Sequence, residues 1–250
     1  MSLQSQKNIL LPLEWGKDEL TSFISDAFKN RLATFYNKRN LFDQLIEIHR
    51  CITSITTGWE SSSNPLPPLF LMRAHSAFIA ACEHSTAGQI SEAYPLIRVC
   101  LEYAGYGFYI YQTPNSGEIW LRRHDDENSL GAVIKEFSHT KIVKAMKAKN
   151  LETAEKYEKL YQKSIDFGAH PNERAISMNS KLMREKETRI YRQSFLQGDS
   201  VFLEDVLRTT VWTGVCVLDI FQQIFMHRFE ICGVNEKLLT LKRSLKNIAV

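Results

Sequence analysis

The chain has 250 residues, of which 44% are apolar and 24% charged, and its net charge is +3. These values are typical of globular proteins and exclude an intrinsically disordered or collagen-like chain. Five cysteines, an odd number, cannot form a closed disulfide framework, and this favours a cytoplasmic protein. The first 17 residues lack a signal-peptide pattern, and no apolar run of 18 residues is free of charge, so we expect no membrane partner.

Apolar residues in the first quarter of the chain recur at steps of three, four and seven, which is the period of amphipathic helices. Serine, asparagine and proline residues between Gly58 and Pro68 interrupt this pattern, because proline cannot continue a helix. We therefore predict an N-terminal helical region over 1–60 and a main helical bundle over 66–250, packed together as one unit.

The main region is predicted to be a series of helices joined by short loops. Gly88 is expected to end one helix before Ser91 begins the next, and Ser200 or Asp199 is expected to cap the last long helix. The helices are predicted over 69–87, 91–111, 118–124, 129–147, 153–167 and 200–229, followed by a short basic helix. Looser alternation over 176–195 allows a small β-hairpin or an ordered loop. The predicted fold class is all-α, a helical bundle with short loops.

The net charge is divided unequally between the two halves of the chain. Residues 1–134 carry a net charge of −3, whereas residues 135–250 carry +6. Many cations on one surface would bind phosphate backbones, because neutralised phosphates release their counterions. Glutamates that alternate with lysines at helical spacing over 152–163 favour solvated helix faces instead. Both interpretations stay open, and RNA is the candidate polymeric partner.

Arg98 and Glu102 are the two polar residues in an otherwise apolar, aromatic or glycine- and proline-containing run from Ala93 to Tyr111. Their spacing of four places both on one face of a helix, where they can form an ion pair. Removing two charges from water is costly, so a pair inside the bundle indicates either a functional site or a polar contact between helices. Asp219, isolated in a later apolar run, is a candidate third member of such a contact.

His170 lies where a helix is predicted to end, next to Gly168 and Pro171. A histidine facing a pocket there would suit proton transfer or phosphate binding, whereas a histidine at a helix C-terminus also stabilises the helix dipole. Tyr161 on the preceding helix could line the same space.

His139 belongs to a single Glu-x-x-His motif, and a di-iron bundle needs two, so we predict neither metal nor cofactor.

Two segments together resemble a family of uncharacterised bacterial all-helical domains, similar in fold to the HEPN bundles. The first runs from Ala80 to Tyr111 with Leu96-Ile97-Arg98-x-x-Leu101-Glu102, and the second runs from Tyr161 to His170-Pro171-Asn172. The resemblance covers about residues 70–175 and implies that Arg98, Glu102 and His170 line the site. Many HEPN bundles are metal-independent ribonucleases or toxin and antiphage components. Their ribonucleases place a histidine four to six residues after an arginine, and this chain has no such pair.

We therefore expect Arg98, Glu102 and His170 to converge at one catalytic site, with Tyr161 and Asn172 as binding residues. The expected function is RNA binding or metal-independent RNA cleavage by a homodimer. Two alternatives stay open: a non-catalytic homodimeric interaction module in which these residues form a buried polar network, and a binder of small anions. Exposure of Arg98 and His170 would favour RNA, whereas full burial would favour the structural role.

Overall fold

The computed structural model describes residues 11–59, 64–171, 173–185 and 188–246. Within these ranges it confirms the all-α fold class, because twelve α-helices are joined by short connections and accompanied by one two-stranded hairpin. The helices are α1 (Glu19–Asn37), α2 (Arg39–Thr56), α3 (Leu66–Ala87), α4 (Ile90–Gln112), α5 (Ser116–Leu121), α6 (Glu127–Glu136), α7 (His139–Lys149), α8 (Leu151–Ser164), α9 (Glu173–Ser177), α10 (Val201–Ile224), α11 (Met226–Ile231) and α12 (Val234–Lys246). The strands are β1 (Ser180–Glu185) and β2 (Thr188–Gln193), and a π-helical turn (Ile165–Ala169) extends α8.

Local sequence explains where several helices begin and end. Asp18, Asp126, Asn150 and Ser200 each accept a hydrogen bond at a side-chain oxygen from the backbone amide three residues later, at 2.7–3.1 Å. Such caps satisfy one of the amides that a helix N-terminus leaves without a partner. Gly88 ends α3 in the left-handed conformation with φ of 78°, as the sequence predicts.

Two predicted helices are each broken in the structure. The helix expected over 129–147 is divided into α6 and α7, because Ser138 adopts an extended conformation with ψ of 143°. The buried Phe137 ring packs there against Tyr106 and Tyr109, at 4.8 and 5.5 Å between ring centroids. The helix expected to reach Phe229 ends at Ile224, and α11 follows after Phe225. These aromatic anchors are tertiary contacts that periodicity alone does not show.

The hydrophobic core lies between α3, α4 and α10, with α2, α8 and α12 packed around them. Ile48 and Ile52 of α2 belong to the same buried cluster as Leu101 of α4 and Val215 of α10. The N-terminal region therefore shares its core with the rest of the chain. Within the described ranges, no helix is sufficiently long and apolar to cross a bilayer.

The small β-hairpin that the alternation over 176–195 allowed is confirmed, but its strands begin only at Ser180, because Ile176 belongs to α9. Its register runs from the pair Ser180 and Gln193 to the pair Glu185 and Thr188, and it places Arg184 directly opposite Arg189. The base of the hairpin is attached to α4, because the Asn179 side-chain amide donates to the Ser91 hydroxyl at 2.7 Å. The hairpin therefore leaves the bundle from the N-terminal end of α4.

Candidate functional site

Arg98 of α4 uses each of its three guanidinium nitrogens for a different partner. Nε donates to Glu102 Oε1 at 2.8 Å, one terminal nitrogen lies 2.5 Å from His170 Nε2, and the other donates to the Tyr161 hydroxyl at 3.0 Å. Residues that lie up to 72 positions apart in the chain thus meet at one guanidinium. The structure brings together four of the five residues that the sequence singles out; Asn172 lies outside the described residues.

Tyr161 of α8 completes a triangle with the ion pair. Its hydroxyl accepts from Arg98 and donates to Glu102 Oε1 at 3.1 Å, so each of the three side chains contacts the other two. A planar guanidinium with three directional contacts keeps a single orientation, which a lysine ammonium could not do. Arg98 is therefore preorganised before any ligand arrives.

His170 accepts a hydrogen bond from Arg98, because a guanidinium has donors and no acceptor. Its Nε2 atom must therefore be unprotonated in this arrangement. The imidazole is exposed, while the backbone around it is held by the π-helical turn that ends at Ala169. If a bound phosphate displaces His170 from Arg98, Nε2 can take up a proton from a hydroxyl group beside that phosphate.

The position of the π-helical turn depends on a close approach between Gly168 and Ser91. A β-carbon on Gly168 would lie 2.4 Å from the Ser91 carbonyl oxygen. That carbonyl faces no helical amide four residues later, because residue 95 is proline. Pro95 lies inside α4, three residues before Arg98. Gly168 thus lets the chain pack against α4 at this point and bring His170 to Arg98.

The site lies at the surface of the bundle and not within its core. The Arg98 side chain is 23% exposed and that of Glu102 is 37% exposed. The ion pair expected between Arg98 and Glu102 is present, but it is only partly buried, because α8 and the π-helical turn cover this face of α4 only in part. Asp219 does not join the pair: it is buried near Lys242 and Lys156, with the Lys156 ammonium at 3.7 Å.

The surroundings of Arg98 and Tyr161 raise the pKa of both groups. Burial opposes the charge of Arg98, but its hydrogen bond and ion pair with Glu102 raise its pKa above the usual value. Burial and the Glu102 carboxylate raise the pKa of Tyr161, although Arg98 opposes this. Arg98 therefore stays a cation and Tyr161 a neutral phenol near neutral pH.

His139 is a neighbour that the sequence interpretation missed, because it was considered only as part of a metal motif. Its ring lies 4.2 Å from that of Tyr161 and stacks on Tyr157 at 5.8 Å. Burial lowers its pKa, with a smaller contribution from Arg98 in the same direction. The neutral imidazole supports the back of Tyr161. This contact joins α7 to α8. The sequence could have suggested it only if the helix break at Ser138, which makes His139 the first residue of α7, had been recognised.

Four of the eight lysines in segment 135–163 form ion pairs with described residues. Lys141, Lys147 and Lys163 contact Glu136, Glu158 and Asp205 at 2.6–2.7 Å. The alternation of lysine and glutamate thus corresponds to paired helix faces. In the part of the chain that the structure describes, no group of three or more His, Cys, Asp or Glu side chains could hold a metal ion.

The arrangement as a whole offers a fixed cation, an exposed imidazole and a phenol within hydrogen-bond reach of that cation. These groups suit the binding of a phosphate and the transfer of a proton beside it. The resemblance to HEPN-like domains and the homodimer remain predictions. Comparison of the chain with family models, curated proteins and solved structures finds no significant match.

Proposed function

We propose that this protein binds RNA and cleaves it without a metal ion at Arg98 and His170. The observation that carries the proposal is the 2.5 Å contact between an Arg98 terminal nitrogen and His170 Nε2. This contact joins a permanent cation on α4 to an exposed imidazole after the π-helical turn, 72 residues later in the chain. A cation and a proton acceptor in contact are the two groups that transphosphorylation of RNA requires.

The proposed reaction uses the ribose 2′-hydroxyl as the nucleophile. The phosphate displaces His170 from Arg98, and His170 Nε2 takes the 2′-hydroxyl proton as the 2′-oxygen attacks phosphorus. The bond from phosphorus to the 5′-oxygen breaks, and protonated His170 returns its proton to that leaving oxygen. The products are a 2′,3′-cyclic phosphate and a 5′-hydroxyl, so no water is consumed. Arg98 stabilises the charge of the phosphorane, while Glu102 and Tyr161 orient Arg98.

The β-hairpin supports RNA as the class of substrate. Arg184 and Arg189 are exposed and directly opposite each other, an arrangement that destabilises a hairpin unless an anion lies between the two charges. Among the described residues neither arginine forms an ion pair. The hairpin base contacts Ser91, which lies two helical turns before Arg98 on α4 and so about 10 Å away along the same face. Arg184 lies four residues beyond the base of the hairpin, about 13 Å further along β1, so an RNA strand of several nucleotides would be needed to span the hairpin and the site.

Cleavage of a single-stranded RNA labelled at its 5′ end, in the presence of a chelator, tests the proposal. Wild type is expected to release fragments that end in a 2′,3′-cyclic phosphate, and a DNA strand of the same sequence is expected to stay intact. Arg98→Ala and His170→Ala should each reduce the rate by at least 100-fold.

Matched controls separate the site from general effects on the surface. His227 and Arg50 have exposed side chains, at 95% and 67%, so His227→Ala and Arg50→Ala should cleave at the wild-type rate. Cleavage that survives both Arg98→Ala and His170→Ala would show that the activity belongs elsewhere. Absence of cleavage by the wild type would refute the enzymatic proposal.

A further inference from the structure

An aromatic pocket adjoins the candidate site and shares Glu102 with it. The pocket has a volume of about 400 Å³ and is open to solvent. Its lining comprises Phe70, Val99, Glu102, Tyr103, Tyr106, Trp120, Arg123 and His124. Apolar pockets of this size with a few polar groups at their walls are the usual form of small-molecule subsites.

One buried aromatic ring lies at the bottom of the pocket, and three partly buried rings surround it. Phe70 is buried at the bottom, and the rings of Tyr103, Tyr106 and Trp120 surround it at centroid distances of 6.1, 6.2 and 5.0 Å. All three surrounding side chains are only partly buried, so part of each ring faces the pocket, although Phe137 packs against Tyr106 and Arg73 lies over the Tyr103 ring. A flat aromatic ligand could therefore stack within the pocket.

The polar groups of the pocket suit a nucleotide. Arg123 and His124 stand at the pocket and Arg73 lies 5.3 Å from the Tyr103 ring, so cations border the aromatic walls. The Glu102 carboxylate uses Oε1 for Arg98 and Tyr161, whereas Oε2 accepts no hydrogen bond from any described residue. A carboxylate oxygen next to stacking rings can accept a hydrogen bond from the exocyclic amino group of a base.

The pocket and the phosphate site follow one row of α4. Arg98, Glu102 and Tyr106 lie at intervals of four residues, so they share a face over about 12 Å. A nucleotide whose phosphate contacts Arg98 would have its own or the adjacent base near Tyr106. The hairpin base lies beyond the other end of this row, at Ser91.

We propose that the pocket lined by Phe70, Tyr103, Tyr106 and Trp120 takes an unpaired nucleobase of the RNA that binds at Arg98. This inference rests on the proposed function, because it assigns a base to the strand whose phosphate Arg98 holds. It specifies single-stranded RNA as the substrate class, since a base within a duplex is stacked on its neighbours and cannot enter.

Binding measured separately from cleavage tests the inference. The probe is a fluorescein-labelled eight-residue oligoadenylate with 2′-O-methyl groups, which has no nucleophile and cannot be cleaved. Fluorescence anisotropy with the full chain should show tighter binding of the single strand than of its duplex with oligouridylate, by about tenfold or more. Tyr103→Ala should weaken binding of the single strand by about tenfold, because it removes one stacking surface.

A second variant tests the pocket without removing any of its aromatic wall residues, so that a loss of binding cannot be attributed to a truncated core. Val99→Trp adds a ring from the exposed α4 surface at the pocket and should fill it without removing any wall residue. Tyr36→Ala on α1, where the side chain is 79% exposed, is the matched control and should bind as wild type does. Circular dichroism confirms that each variant retains its helices.

The outcomes distinguish the two proposals. Weaker binding by both pocket variants, with wild-type binding by Tyr36→Ala, supports the base pocket even if no cleavage is found with natural RNA. Unchanged binding by both pocket variants, or equal affinity for duplex and single strand, overturns the base pocket while the cleavage proposal stands. A wild-type protein that binds neither strand overturns both.

Discussion

The carbonyl oxygen of Ser91 occupies the space that a β-carbon on residue 168 would need, at a distance of 2.4 Å. A real β-carbon does not come so close to a backbone atom, and the opposing atom belongs to a helix that cannot easily move. This contact fixes how near the π-helical turn lies to α4. Since His170 follows two residues later, the contact also fixes the approach of His170 to Arg98.

Gly168→Ala is therefore expected to displace the turn and separate His170 from Arg98. The free energy of unfolding should fall by about 1–3 kcal/mol, as for other overpacked sites, and RNA cleavage should fall by at least tenfold. Urea denaturation and the cleavage assay measure the two effects. Gly131→Ala in α6 is the control, because a β-carbon there meets no atom within 4 Å; it should stabilise the protein slightly. Equal behaviour of the two variants would show that Ser91 tolerates a side chain at 168.

Arg98→Lys tests whether geometry matters at the site in addition to charge. A lysine keeps the positive charge but cannot direct three separate nitrogens at Glu102, His170 and Tyr161. We expect cleavage to fall by about 100-fold, with a loss of stability of about 1 kcal/mol or less, because the ion pair is partly exposed. Arg50→Lys, at an exposed ion pair, should change neither quantity. Wild-type cleavage by Arg98→Lys would reduce the role of Arg98 to that of a simple cation.

Tyr161→Phe tests the positioning role of the phenol. The variant keeps the ring that contacts His139 and removes only the hydroxyl that links Arg98 to Glu102. If the hydroxyl orients Arg98 for the transition state, kcat should fall by about tenfold while KM changes little. Tyr36→Phe is the matched control at an exposed phenol. A change in KM alone would instead assign the hydroxyl to substrate binding.

The hairpin arginines are expected to contribute to RNA affinity through phosphate contacts. Replacing Arg184 and Arg189 with glutamine should reduce the slope of log K against log salt by about 1.4 for single-stranded RNA, since each phosphate contact contributes about 0.7. Arg39 and Arg50 carry the same charge but already form ion pairs with Asp43 and Glu47, so their double glutamine variant is the control. An unchanged slope in the hairpin variant would place the phosphates away from Arg184 and Arg189.

The candidate site was predicted from sequence to the extent that local chemistry marked it. Two polar residues in an apolar helix, and a histidine next to glycine and proline, are visible without any structure. What could not be predicted is that the pair lies at the surface, because exposure depends on how much of α4 the π-helical turn and α8 cover. The partners of Asp219 could not be predicted from the sequence either, since Lys242 lies on α12 and contacts Asp219 only when the helices pack.

The limits of the fold prediction have the same origin. Caps and glycine ends are local signals, so Gly88 and Ser200 are correctly placed. The breaks at Ser138 and Phe225 accompany contacts of Phe137 with Tyr106 and of Phe225 with Trp59, which form only once distant helices pack.

A histidine pair between α2 and α3 makes the stability of the bundle sensitive to acid. His49 Nδ1 lies 2.9 Å from His75 Nε2, and burial, followed by the charge of His49, lowers the pKa of His75 to about 4. The unfolded chain, with an ordinary value of 6.5, therefore binds more protons than the folded chain between pH 6.5 and 4. The free energy of unfolding should fall as the pH drops from 6.5 to 4. Below pH 4, His75 should cause no further loss of stability, because both states then bind its proton. His75 is partly exposed, so we expect its contribution at pH 5 to be about 1 kcal/mol.

Urea denaturation at pH 7 and pH 5 measures this contribution by comparison of variants. His75→Gln keeps a polar group near His49 but cannot be protonated, so its loss of stability between the two pH values should be smaller than that of the wild type. His227→Gln is the control, because that side chain is 95% exposed and should leave the pH dependence unchanged. The same pH dependence in His75→Gln and wild type would mean that the acid-sensitive groups lie elsewhere, since a protonated His75 would then be tolerated between α2 and α3.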